Sequence, residues 1–166
     1  MSKGIIEKTS AGVSTFARWF AGLGLLVMTT IIGMQVFARY VLNDSPPWAE
    51  QAALLLMIWY VFIAAAAGIR EGFHIRIGVF ADNLAPSLRQ PVRIVAHLIV
   101  AAFGVAMIVF GIELTSATWQ HVIPTLSIPR GFAYIPIALS GLLITGFSLE
   151  QIIAELRDKE VVQKWN

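Results

Sequence analysis

Four stretches of this chain run without a single Asp, Glu, Lys or Arg: residues 19–38, 51–69, 94–112 and 131–149. Each is closed off by charge at both ends, from Arg18 to Arg39, Glu50 to Arg70, Arg93 to Glu113 and Arg130 to Glu150. At about 1.5 Å rise per residue such a run makes a helix of roughly 28–30 Å, the thickness of a hydrocarbon core. Within lipid an open strand would leave its backbone groups unpaired, so the runs are expected to be helices. The pattern therefore predicts an all-α integral membrane protein, one domain over 1–166, with four transmembrane helices. The first run is expected to be retained. It is too long for the apolar core of a signal peptide and ends in "FARY" instead of a small-residue cleavage site.

Between the second and third runs the pattern changes. Phe73, Ile77, Phe80, Leu84 and Leu88 recur at spacings of four, three, four and four, one stripe of a helix, with His74, Arg76, Asp82 and Arg89 largely elsewhere. This predicts an interfacial amphipathic helix at about 73–85, in contact with lipid headgroups and ended or bent by Pro86. After the fourth run Leu149, Ile152, Ile153 and Leu156 keep helical spacing, so that span is expected to continue beyond the membrane as an amphipathic helix. Glu155 and Lys159 form an i,i+4 pair there. Segment 5–16 carries a weaker version of the pattern.

Composition supports the bilayer as solvent. The chain has 166 residues, 57% hydrophobic and 13% charged, with five Trp and ten Phe, whereas soluble domains carry about 25% charged residues. Mean hydropathy is +0.74. The absence of cysteine excludes disulfides, thiolate metal sites and cysteine nucleophiles. A net charge of +2 is modest and does not point to nucleic acid. Its distribution says more. Ten of the twelve Lys and Arg residues lie in the two tails and the 70–93 connection, and only Arg39 and Arg130 in the other two loops. The positive-inside rule then predicts cytoplasmic termini, a cytoplasmic 70–93 connection, and outward loops at 39–50 and 113–130. Trp19 at one interface and Tyr40, Trp48 and Trp119 at the other fit an aromatic belt. Trp59 and Tyr60 fall near the middle of span two, where a lipid-facing or core pair is favoured over a partner contact.

The interior is poor in chemistry. Ion-coupled transporters place ionisable groups or broken helices at mid-depth, and the runs hold only His97. A haem between helices usually takes two inward histidines, and His74 and His121 belong to connections. His97 reads as a snorkelling or hydrogen-bonded residue, and Gln35 as a helix–helix hydrogen bond. No catalytic, metal or cofactor site is expected. Packing features are more numerous. Thr29–Gly33, Ala64–Gly68 and Gly141–Thr145 are small-xxx-small pairs, and Gly104 and Gly111 lie a heptad apart. Pro129 falls near the start of span four, and Pro136 is expected to kink it.

The polar connection "FARYVLNDSPPWAEQ" offers Ser45 as an N-cap and Pro46 as the first helical residue of span two. Arg39 and Glu50 each complement the dipole of the helix end they occupy. A salt bridge between them is one reading and simple helix termination the other, which the sequence favours.

The run "ARYVLNDSPPWAEQAALLLMIWYVFIAAAAGIREGFHIRI" resembles the small membrane subunit of the tripartite ATP-independent periplasmic (TRAP, DctQ-like) transporters, at Arg39, Tyr40, Asn43, Ser45, Trp48, Glu50, Trp59, Gly68, Arg70, His74 and Ile75. "SIPRGFAYIPIALSG" resembles that family's entry to its fourth helix, with Pro129, Tyr134 and Pro136 in place. A second acid commonly follows Glu50 in the family, and Gln51 stands here. The resemblance implies a bacterial inner-membrane protein that is not an enzyme and works as a non-catalytic scaffold. Its implied partners are a large elevator-type membrane subunit, which would hold the sodium and substrate sites, and a periplasmic binding protein that captures an organic acid such as a dicarboxylate or sialic acid. It also implies that Arg39, Tyr40, Asn43, Trp48, Glu50 and Trp59 serve the partner interface or its supporting frame. Arg70 and His74 would fix the turn into the interfacial helix, with helix-end capping an equal reading. Two readings from other classes are a membrane anchor of a respiratory complex and a small homodimeric exporter.

Overall fold

The computed structural model describes the backbone of residues 3–82 and 86–163 and the side chains of 12–69 and 88–156. Helix α1 spans Lys3–Tyr40, α2 Ala49–Asp82, α3 Pro86–Thr118 and α4 Ile135–Gln163. Between α3 and α4 lie two short strands, β1 (Val122–Ile123) and β2 (Ile128–Pro129), and a 3₁₀ turn at Arg130–Ala133. Four segments are long and apolar enough to cross a membrane: Gly12–Tyr40, Ala49–Ile69, Leu88–Thr118 and Arg130–Leu156. Each contains one of the charge-free runs, so the chain is a four-span all-α membrane protein. The connections 41–48 and 119–134 share one end of the bundle, here the hairpin end.

The helix backbone is longer than the apolar runs because charged residues at a span's edge still have the helix as their best backbone solution. The α2 backbone continues to Asp82 through most of the segment predicted as an interfacial helix at about 73–85. The side chains of Phe73, Ile77 and Phe80, and all of Leu84, lie outside the described residues, as do the side chains of Arg70, His74 and Lys159. Pro86 is the first residue of α3, where its missing N–H costs nothing. Pro91 lies further inside that helix.

Two helix pairs make the bundle. The α3–α4 seam is drawn in by glycines. A Cβ at Gly111 would lie 2.8 Å from the Ala138 nitrogen, and one at Gly141 would lie 2.6 Å from the Gly104 carbonyl oxygen. One at Gly104 would collide with the Thr145 hydroxyl and sit 2.9 Å from the Gly141 carbonyl oxygen. Each glycine thus turns a Cα–H toward the other's carbonyl, a weak attraction available only at this separation. On the other side α1 packs chiefly on α2. There Gly24 admits Tyr60, whose Cβ is 2.8 Å from where the glycine's own would be. The Tyr60 hydroxyl donates to Met28 Sδ at 3.6 Å. The α2–α4 contact joins the two pairs.

Several sequence expectations change. Pro136 does not kink α4: it is the second residue of that helix, fully buried, where no intrahelical N–H bond is lost. Gly33 and Gly68 have nothing within 4 Å of a built Cβ among the described residues, so neither glycine is a point of close helix approach there. Thr29 satisfies its hydroxyl on its own helix, donating to the Leu25 carbonyl at 2.8 Å. His97 is buried, only 5% exposed, which removes the snorkelling option. Gln35 is buried too, without a hydrogen bond among the described residues. At the end opposite the hairpin, Glu155 pairs with Arg93 at 3.3 Å across α3 and α4, and Gln90 Nε2 donates to the Glu155 carbonyl at 2.7 Å. The sequence offered Glu155 only its i,i+4 neighbour Lys159, whose side chain lies outside the described residues, and the interhelical partner is an addition to that expectation.

Burial is uneven. Within the most apolar window of the first span 6% is buried by the chain, against 39% in the fourth. Leu23, Leu26, Met34, Val36 and Phe37 of α1 stay exposed. In water each would cost about 1.5–3 kcal/mol of lost burial, so this face fits lipid or another apolar helix.

Candidate partner interface

The hairpin end begins where α1 stops. Val41 donates to Phe37, and both Leu42 and Asp44 donate to the Ala38 carbonyl, at 2.8, 3.2 and 3.1 Å. Asn43 takes a left-handed backbone, φ 52°, and reverses the chain. Asparagine is among the few residues that enter this region without heavy strain. The chain then crosses to a turn in which the Ala49 N–H meets the Pro46 carbonyl at 3.2 Å, and Ala52 closes on Trp48 at 2.9 Å. Helix α2 therefore starts at Ala49, and Ser45 and Pro46 lie ahead of it instead of serving as N-cap and first residue. A proline pair followed by the bulky Trp48 is satisfied by this turn before the helix takes over.

Arg39 sits in the last turn of α1 and Glu50 in the first turn of α2, each matching its helix dipole. Both are exposed, and no ion pair joins them among the described residues. They end their helices, which is the reading the sequence favoured. Tyr40 and Trp48 are exposed beside them, at 77% and 41%.

The second connection is built differently. Strands β1 and β2 pair antiparallel, Val122 with Pro129 and Ile123 with Ile128. Ser127, at φ 54°, turns the loop between them, its N–H donating to the Ile123 carbonyl at 2.8 Å. The Arg130 N–H closes the base on the His121 carbonyl at 2.6 Å. Gly131 then packs so tightly on the end of α3 that a Cβ would lie 2.5 Å from the Thr115 carbonyl oxygen. Trp59 ties this cap to α2. Its Nε1 donates to the Phe132 carbonyl at 3.2 Å, and the two rings lie 5.1 Å apart at 34°. Trp59 is thus an internal strut, half-buried, which agrees with the core side of the lipid-facing or core reading and does not pair it with Tyr60. Tyr60 faces α1 instead.

The structure brings Arg39, Tyr40, Asn43, Trp48 and Glu50 to one end, and places Trp59 below them as support. Arg70 and His74 lie at the far part of α2, away from this surface. Sequence reasoning missed Phe132, Gly131 and the hairpin. The β-branched Val122 and Ile123 before "PTLS" and Ile128 after it were the available signal, a short turn flanked by strand formers. Between α2 and the hairpin lies a cavity of about 510 Å³, lined by residues that include Gln51, Thr125, Arg130 and Tyr134.

The family described as "Tripartite ATP-independent periplasmic transporters, DctQ component" matches residues 28–158, which takes in both connections and all of the α3–α4 seam. The chain belongs to that family. It is therefore a small permease subunit of a TRAP transporter and a multi-pass membrane protein. A C4-dicarboxylate TRAP transporter small permease protein of Vibrio cholerae is 31% identical over 83 residues, 49% of this chain and 35% of that protein. A sialic acid TRAP transporter small permease protein of the same organism is 23% identical over 128 residues, covering 77% of this chain and 74% of the relative. An ectoine TRAP transporter small permease protein of Halomonas elongata is 25% identical over 161 residues, 95% of this chain and 83% of the relative. The first of these alignments spans about a third of the relative's length.

Proposed function

We propose that this chain is the non-catalytic scaffold of a sodium-coupled importer of an organic acid in a bacterial inner membrane, with both termini in the cytoplasm. It braces the large elevator-type membrane subunit, and its outward hairpin end helps receive the periplasmic binding protein. The observation that carries this reading is the lopsided burial. A rigid α3–α4 seam and a braced cap stand beside an α1 whose apolar surface the chain leaves almost bare. That is the shape of a part that packs on something larger, and the charge-free runs give it no site of its own for ions. The relatives' names span a C4-dicarboxylate, sialic acid and ectoine, which fits a bracing part whose complexes take their selectivity from other subunits.

Arg39, Tyr40, Trp48 and Glu50 then supply contacts on the receiving surface, while Asn43 and Trp59 hold its shape. A triple Arg39→Ala, Trp48→Ala, Glu50→Ala variant should lower uptake at equal membrane abundance, leaving substrate affinity of the isolated binding protein unchanged. Full uptake by that variant would remove the hairpin end from the proposal.

A further inference from the structure

The cavity beneath the β-hairpin has walls at two depths. Gln51, Thr125, Arg130 and Tyr134 supply polar groups, while Leu54 and Ile58 continue the wall down α2. Ile58 lies two turns below Gln51, about 10 Å along the helix axis. Those leucine and isoleucine positions belong to the second membrane span, Ala49–Ile69, whereas Arg130 opens the fourth. The cavity thus begins at headgroup level and descends into the hydrocarbon. Arg130 is exposed, and its guanidinium has no ion-pair partner among the described residues.

A small water-soluble anion would satisfy Arg130 and leave the lower wall uncovered. A purely apolar occupant would cover Leu54 and Ile58 and leave a cation and three polar side chains facing it. An occupant complementary to both levels carries an anionic head on an apolar tail. We propose that this cavity is a phospholipid site, with the phosphate on the Arg130 guanidinium and one acyl chain along Leu54 and Ile58. Arginine suits this task because its planar fork meets phosphate with two parallel hydrogen bonds. The bound lipid would fill the gap between α2 and the hairpin and stiffen the cap that Trp59 already ties down. The inference requires only that the chain lies in a bilayer, and it stands apart from the transport reading.

The test uses the full-length chain, delipidated in detergent and titrated with phosphatidylglycerol under native mass spectrometry. One phosphatidylglycerol should be retained per chain. Retention should fall about tenfold on Arg130→Gln (about 1.4 kcal/mol) and comparably on Ile58→Trp, which fills the lower wall and leaves the charge in place. Leu54→Trp serves as the second wall variant should Ile58→Trp fail to fold. Arg18→Gln, at the opposite end of the bundle, should retain lipid as the parent does. Diacylglycerol, lacking phosphate, and glycerol phosphate, lacking acyl chains, should both fail to displace the bound lipid. Equal retention by parent, Arg130→Gln and either wall variant would overturn the proposal. Displacement by glycerol phosphate alone would also overturn it, leaving a simple anion site. So would a parent complex with the large membrane subunit that keeps no lipid here because a protein segment of that partner fills the cavity.

Discussion

Replacing Gly141 with alanine should force the α3–α4 seam apart. A Cβ there would lie 2.6 Å from the Gly104 carbonyl oxygen and 3.0 Å from the Ile108 nitrogen, and atoms that do not bond settle at roughly 3.5 Å. The clashing atoms belong to helix backbone and cannot swing aside, so the helices must separate locally by the better part of an ångström. That shift also weakens the Gly104 contact with Gly141 and forfeits a quarter to a half of the dispersion well for each seam atom moved by about 0.5–1 Å. Overpacking of this kind costs about 1–3 kcal/mol. Gly22 provides the control, since nothing lies within 4 Å of a Cβ built there, and alanine gains up to about 1 kcal/mol of helix propensity. Thermal unfolding of the purified chain in detergent, followed by circular dichroism, should show a lowered midpoint for Gly141→Ala and an unchanged or raised one for Gly22→Ala. A double Gly104→Ala, Gly141→Ala variant should lose less than the sum, because one separation relieves both clashes. An unlowered midpoint for Gly141→Ala, or an equal loss at Gly22, would refute the seam argument.

Trp59→Phe keeps the aromatic contact with Phe132 but removes the hydrogen bond to its carbonyl, and should cost about 1 kcal/mol in the same unfolding assay. Asn43→Val places a β-branched residue at φ 52° and should destabilise the chain by about 1–2 kcal/mol, while Asn43→Gly should be tolerated. A double-mutant cycle on Arg93 and Glu155 should give a coupling of no more than about 1 kcal/mol that shrinks as salt is raised, because both side chains remain partly exposed.

The spans were legible because lipid imposes a rule that sequence alone can express: no charge inside, backbone bonds satisfied within the segment. Arg39 and Glu50 at facing helix ends followed from the same logic. Gly104, Gly111 and Gly141 were correctly marked as close-approach positions, but Gly33 and Gly68 carry the same signature and meet nothing within 4 Å of a built Cβ among the described residues. Small residues permit approach without stating which helix arrives. The hairpin was missed because its two-residue strands hold through Gly131 against Thr115 and Trp59 against Phe132, contacts 16 and 73 residues apart in sequence. Pro136 was misread because the 3₁₀ turn delays α4 by several residues, turning an interior proline into a first-turn one. Ser45 failed as a cap for a related reason, since the Pro46–Ala49 turn comes first.

Uptake by proteoliposomes tests the central claim most directly. Vesicles carrying the large membrane subunit, with binding protein and labelled substrate outside, are compared with and without this chain under an inward sodium gradient. The account predicts sodium-dependent uptake only when both membrane subunits are present, and none from this chain with the binding protein alone. Transport by this chain in the absence of the large subunit, or full uptake without this chain, would contradict it.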